Sequence, residues 1–223
     1  MSSSEEEVFK VNNMYDGEQA KVYLAKHKHG LQRRLSNRLE QRMAVRALAM
    51  AGEPASILDL PCGAGRFWKL LARVPDRNLM AADYSQDMIN TALSSQPPDV
   101  VRRFKTLQTS AFDIKLPDAV VDCIFSMRLL HHIDKKEARA KILREFHRVS
   151  RDTICVSLWV DGNIQAWRRR SRSRRQLRVD QTRFLFNRGQ IEDEFLECGF
   201  DIVGSVALQP GLSMWRTYVL RRR

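Results

Sequence analysis

The sequence predicts an α/β fold: a doubly wound, mostly parallel sheet with helices on both faces. Three observations predict it. Short apolar runs of β type alternate with helical apolar stripes through about 160 residues. The first of these runs leads into a glycine loop, Cys62-Gly63-Ala64-Gly65, and then into a helical stripe. The last two strand candidates are joined through Gln209-Pro210-Gly211, which suits an antiparallel hairpin at one edge. A chain of 223 residues, 43% hydrophobic, can bury a substantial core, and residues 1–223 read as one domain.

The elements follow in order. Leu31, Leu35, Leu39, Met43, Ala47 and Met50 recur at helical spacing, with Gly30 before them and Gly52-Glu53-Pro54 after. Ser56 to Leu60 is the first strand. Phe67, Trp68, Leu70, Leu71 and Val74 predict a helix ending at Pro75. Asn78 to Ala82 is a strand ending at Asp83, and Ser85 is a candidate N-cap for a helix over Met88, Ile89, Ala92 and Leu93 that Pro97-Pro98 closes. Residues 102–109 and 120–126 predict the third and fourth strands. Asp134 to Glu137 has the form of a capping box, before a helix with Ala138, Ile142, Leu143, Phe146 and Val149 on one side. Thr153 to Val160 is the fifth strand. Asn187 to Gln190 is a second capping box, opening a helix with Ile191, Phe195 and Leu196 inward and Gly199 at its C′ position. Strands at about 200–208 and 214–221 end the fold.

Composition excludes several classes. The longest run without a charged residue, Ile202 to Trp215, has 14 residues, and a spanning helix needs about 20. The start, Ser2-Ser3-Ser4-Glu5-Glu6-Glu7, lacks the basic and apolar regions of a secretory signal, so a cytoplasmic location is expected. The four cysteines are 61, 32 and 43 residues apart, too far for a metal knuckle or redox pair, and read as buried thiols; no metal is expected.

The net charge of +12 is confined to two segments. Lys26 to Arg46 holds seven basic residues and one acid, Glu40; Asp161 to Arg183 holds eight arginines and two acids. Each could be a solvated face. Two such clusters on an otherwise neutral body point instead to an anionic partner.

The loop Asp59-Leu60-Pro61-Cys62-Gly63-Ala64-Gly65 carries the chemistry. Ligands of a doubly wound sheet sit at the carboxyl ends of its strands, and glycines there let the backbone approach them. Asp83, 24 residues after Asp59, ends the next strand, where a carboxylate can accept both hydroxyls of a ribose. Trp68 stands where the dinucleotide fingerprint needs its third glycine, so a nicotinamide or flavin dinucleotide fits poorly. A ribose-bearing cofactor without phosphate, S-adenosyl-L-methionine, fits better.

With these blocks the sequence resembles the class I S-adenosylmethionine-dependent methyltransferases. The resemblance covers about residues 8–221. It is carried by Ile57 to Arg66, Ala82 to Met88, Val121-Asp122 leading to Leu129-Leu130-His131-His132-Ile133, Arg144 to Val149, and Phe200 to Val203. It implies a seven-stranded sheet of order 3-2-1-4-5-7-6 with strand 7 antiparallel. It also implies that Asp59, Gly63 and Gly65 line the methionine end of the cofactor, that Asp83 holds the ribose, and that Pro61 and Tyr84 are further cofactor-binding residues. Met88, Ser110, Ala111 and Phe112 would meet the adenine. The backbone of Met127 and Arg128 would hold the methionine ammonium. Residues 8–52 would form a helical lid, with Tyr15 and Tyr23 over the cofactor.

Methyl transfer from a sulfonium has a neutral leaving group, so positioning dominates, and positioning can supply roughly 7–11 kcal/mol. His131 and His132 lie beyond strand four, where a histidine could serve as a base; hydrogen-bonded structural histidines are the competing and preferred reading. Tyr23 is a further catalytic candidate. The acceptor is expected between the N-terminal segment and the arginine-rich insertion at 161–183, which implies an anionic molecule: a phosphorylated glycan or lipid, or a small acidic metabolite. RNA is an alternative, as is a silent cofactor-fold protein that only binds nucleic acid. Peripheral contact with an acidic membrane is also compatible.

Overall fold

The computed structural model describes residues 31–173 and 183–223. Tyr15, Tyr23, most of the proposed lid segment and the arginines at 174, 175 and 178 lie outside the described residues. The chain runs α1 (Leu31–Met50), β1 (Ser56–Asp59), α2 (Trp68–Leu71), β2 (Asn78–Asp83), α3 (Gln86–Ser95), α4 (Pro98–Val101), β3 (Phe104–Gln108) and β4 (Val121–Ser126). A 3₁₀ turn (Leu130–His132) follows, then α5 (Lys136–Val149), β5 (Ser150–Trp159), α6 (Ile164–Ser173), α7 (Arg188–Glu197), β6 (Phe200–Ala207) and β7 (Trp215–Arg222).

The seven strands form one sheet of order β3-β2-β1-β4-β5-β7-β6, with β7 antiparallel to both neighbours and the other pairs parallel. This is the expected architecture. Alternate residues of each strand face opposite sides, so the sheet has two cores. Leu58, Ala82, Ile124 and Val156 pack with Ile142, Phe146 and Phe195 of α5 and α7. Ile57, Ala81, Phe125 and Val219 pack on the other side with Met43, Ala47, Trp68 and Leu71. The strand ends β1, β2 and β4 therefore open at one edge between two rigid layers.

Local departures from the sequence reading have identifiable causes. In α1 the buried apolar positions are Met43, Ala44, Ala47 and Leu48, whereas Leu35 and Met50 are exposed. These residues, all in the C-terminal half of α1 except Leu35, share a core with Val206 of β6 and Val219 of β7 where they are buried. The alanines permit close approach there, and a Cβ on Gly204 of β6 would collide with Met50. The helix after the glycine loop is a single turn, and Val74 is exposed. β3 starts at Phe104 because Pro97 and Pro98 open the short helix α4. α5 starts after Lys135 with no side-chain cap, so Asp134 forms no capping box. β5 begins at Ser150, because α5 passes into it directly and Ser150 Oγ donates to the Phe146 carbonyl at 2.7 Å. Asn187 does cap α7, accepting from Gln190 N, and Gly199 takes φ +87°. Ile191 and Phe195 of that helix are buried as expected, but Leu196 is exposed and Glu194 is buried. Among the described residues no helix is long and apolar enough to cross a membrane.

Candidate functional site

The site begins where β1 ends. The Leu60–Pro61 peptide is cis, and Cys62 N donates to the Ala82 carbonyl at 2.8 Å, which pins the loop to β2. Gly63 and Gly65 adopt φ +52° and +70°, a region costly for residues with a Cβ. They serve different ends. A Cβ on Gly65 would lie 3.0 Å from the Trp68 ring and 3.2 Å from Ala92, so this glycine admits the indole that stacks on Phe104 beneath it. A Cβ on Gly63 would meet nothing within 4 Å, so this glycine leaves open space at the cavity wall.

Asp83, at the end of β2, ties the two turns together. One carboxylate oxygen accepts from Gly63 N at 2.9 Å and the other from Ser85 N at 3.0 Å. Burial raises its pKa, opposed by the backbone donors of Ser85, Gly63 and Tyr84. Ser85 caps α3, accepting from Met88 N, and so sets Met88 into the cavity wall. Ala111 and Phe112 form the opposite wall, held by α5: Glu145 accepts from Ile114 N, and Arg148 donates to the carbonyls of Ile114 and Leu116. The hydroxyl of Ser110 is turned into its own loop, where it accepts from Phe112 N.

The end of β4 closes the site. Arg128 has φ +69°, rare for a residue with a side chain, and its N donates to Ser157 Oγ at 2.8 Å. Its guanidinium lies over Trp215 and pairs with Glu40 at 3.5 Å. Glu40, 2% exposed, also pairs with Arg66 of the glycine loop at 3.0 Å. Asn37 accepts from Arg66 Nε, and Gln41 donates to the Arg66 carbonyl. Helix α1 is thus bolted onto both cofactor-side loops through one buried acid.

The resulting cavity holds about 990 Å³, its open mouth included. Of the residues expected in the site, Pro61, Gly63, Asp83, Tyr84, Met88, Ala111, Phe112, Met127, Arg128 and His132 line it. Asp59, Gly65, Ser110 and His131 do not, and Tyr23 lies outside the described residues. None of the described residues of the insertion at 161–183 lines it either. Arg66, Phe67 and Leu129 were not expected and do line it. His131 is 2% exposed, stacked on Trp159 at 5.1 Å and edge-on to Trp215 at 5.0 Å. Burial, then His132, Arg128 and Arg183, push its pKa well down, so the ring is neutral.

Asp59 lies beneath the loop, 1% exposed, and its Oδ2 has no hydrogen-bond partner. Burial and then the Asp83 charge raise its pKa well above the ordinary value. A raised carboxylate pKa costs stability above the folded pKa and nothing below the unfolded one, about 3.9. Asp59→Asn is therefore expected to raise the melting temperature at pH 7, with the gain fading as pH falls towards about 4. Melting curves across that range check it; a gain independent of pH would contradict it.

An open position at Gly63, a carboxylate at Asp83 and an apolar wall of Met88, Ala111 and Phe112, with the buried Asp59 beneath the loop, fit a cofactor with an amino-acid end, a ribose and a flat base. Comparison with known proteins agrees. Residues 58–153 match a family model described as a methyltransferase domain. A solved structure of magnesium protoporphyrin IX methyltransferase from Synechocystis PCC 6803, with bound S-adenosylhomocysteine, is similar in fold. The identity is 10%, covering 97% of this chain and 100% of that one, with a TM-score of 0.73. A structure of a putative sarcosine dimethylglycine methyltransferase from Galdieria sulphuraria is 16% identical, covering 82% of this chain and 84% of that one, with a TM-score of 0.62. No curated protein matches the sequence. The domain match spans the glycine loop, Asp83 and β4, and the sheet around it has the order of the class I methyltransferase fold, which together support an enzyme that uses S-adenosylmethionine.

Proposed function

We propose that the enzyme methylates a small anionic acceptor, carboxylate- or phosphate-bearing, which approaches past Trp159 and its two arginines, Arg169 and Arg183, towards His132 at the cavity wall. One observation carries this. Arg169 and Arg183 both lie over the Trp159 ring, at 5.0 and 5.7 Å, and among the described residues neither meets a carboxylate. Arg169 Nη2 donates to the Arg183 carbonyl, so the two approach as a unit. Phe184 N donates to the His131 carbonyl at 2.7 Å, which draws this segment against the turn that carries His132 into the cavity. Two guanidinium groups with no carboxylate partner among the described residues, close to the turn that carries His132, suit an anion, and arginine's fork suits carboxylate and phosphate.

In this reading Asp83 holds the ribose hydroxyls, while Met88, Ala111 and Phe112 enclose the adenine. Asp59, through the loop, and the Met127–Arg128 backbone favour the methionine ammonium. When bound, the cofactor supplies a methyl group on a sulfonium centre. The protein's part is to hold the acceptor in line and exclude water. A carboxylate acceptor needs no base. A hydroxyl acceptor does, and His132 is placed at the wall to take that proton.

Labelled methyl transfer into a fractionated cell extract is expected to mark the small-molecule or lipid fraction. With the acceptor in hand, Arg169→Gln/Arg183→Gln should raise its KM about tenfold, consistent with the loss of one charge-assisted contact. Cofactor affinity should be unchanged. Label confined to RNA, or an unaltered KM, would overturn the reading.

A further inference from the structure

The tip formed by α6 and the β6–β7 turn carries exposed apolar side chains that neither the fold nor the proposed reaction uses. Ile164 is 46% exposed, Trp167 69% and Leu212 52%. They are neighbours. Ile164 N donates to the Gly211 carbonyl and Gln165 N to the Leu212 carbonyl, both at 3.0 Å. Ile164 and Trp167, three residues apart, share one helix face. The tip is rigidly built: Asn163 caps α6 by accepting from Ala166 N, Gln165 Oε1 accepts from Met214 N, and Ala166 is buried beneath. Arg168 follows the exposed tryptophan directly and Arg170, paired with Asp161 at 2.8 Å, lies one turn on, within a segment that holds eight arginines and two acids.

We propose that this tip is a docking surface for an anionic lipid bilayer, with Ile164, Trp167 and Leu212 entering the headgroup region and the arginines meeting lipid phosphates. A short helix with an indole and aliphatic groups beside basic residues has the chemistry of an interfacial anchor. Exposed Ile and Leu would add nothing to nucleic-acid binding, which uses stacking and charge, so the apolar part of the tip favours lipid over RNA. The geometry also serves the cavity. α6 leaves β5 at Trp159, which pairs with Trp215 at the start of β7, on the same sheet edge as the cavity-lining ends of β1, β2 and β4. A membrane held at the tip would lie beside the cavity rather than behind the sheet. The proposal does not depend on which acceptor is methylated.

The test is flotation of the full chain with phosphatidylcholine vesicles, with and without about 30% phosphatidylglycerol. The wild type should bind the anionic vesicles at least about tenfold more tightly than the neutral ones. The variant Ile164→Ser/Trp167→Ala/Leu212→Ser should lose at least about tenfold of that binding while keeping its S-adenosylhomocysteine affinity, which reports folding. Tryptophan emission should shift to the blue on anionic vesicles, and Trp167→Phe should abolish the shift while largely keeping flotation. The proposal is overturned if the wild type ignores anionic vesicles or if the triple variant floats equally well. It also fails if single-stranded RNA binds wild type and triple variant alike and strips both from the vesicles.

Discussion

Glu194→Ala is expected to destabilise the protein by about 3–5 kcal/mol, the usual cost of leaving a buried charge without its partner. Glu194 and Arg139 are 7% and 5% exposed and form a two-pronged pair, Nε to Oε2 at 2.8 Å and Nη2 to Oε1 at 2.6 Å. The third arm of Arg139 donates to the carbonyls of Ile133 and Asp134, and the ring of Phe186 lies under the guanidinium at 4.5 Å. The pair therefore joins α5 to α7 and fixes the turn just after His132. Removing the acid strands a cation that the carbonyls alone cannot neutralise. Removing both charges is a different perturbation. Arg139→Met/Glu194→Leu should recover most of the loss, because a well-packed apolar pair avoids the desolvation of both ions. Urea unfolding of the three proteins measures this. A loss below about 1 kcal/mol in Glu194→Ala would show that water reaches the pair.

The parts legible in the sequence were those set by local pattern and backbone demand. Strand and helix alternation gave the layers. Gly63, Gly65 and Gly199 marked positive-φ positions, and Ser85 and Asn187 marked caps. What stayed hidden depends on contacts between distant segments. Glu40 reads as one acid in a basic stretch, yet it is the buried partner of Arg66 and Arg128, 26 and 88 residues away. Its one signal was its isolation, a lone acid on the helix preceding the glycine loop. The apolar stripe of α1 misled because Asn37, Glu40 and Gln41 meet those loops while Met43, Ala44, Ala47 and Leu48 join the core of the sheet. The hydroxyl of Ser110 closes its own turn instead of lining the cavity, a choice that its position in the sequence does not reveal. Arg139–Glu194 was invisible for the reason Glu40 was: a 55-residue separation leaves no periodic trace.

The largest functional effect is expected at Asp83. Its two oxygens already organise the site, one on Gly63 N and one on Ser85 N, while the carboxylate faces the cavity. Asp83→Asn keeps the size and removes the charge. It also sets an amide N–H₂ against backbone N–H groups, so at least one loop tether is lost. Hydrogen bonds to a charged acceptor contribute about 1.5–3 kcal/mol each, so losing two of them predicts an affinity loss of about 100-fold or more. Calorimetric titration of S-adenosylhomocysteine into the wild type and Asp83→Asn, with a nicotinamide dinucleotide as control, tests the account most directly. The expected result is one-to-one binding by the wild type, none with the dinucleotide, and at least about 100-fold weaker binding by Asp83→Asn. A wild type that binds the dinucleotide and not S-adenosylhomocysteine, or an Asp83→Asn variant that binds as tightly as the wild type, would contradict it.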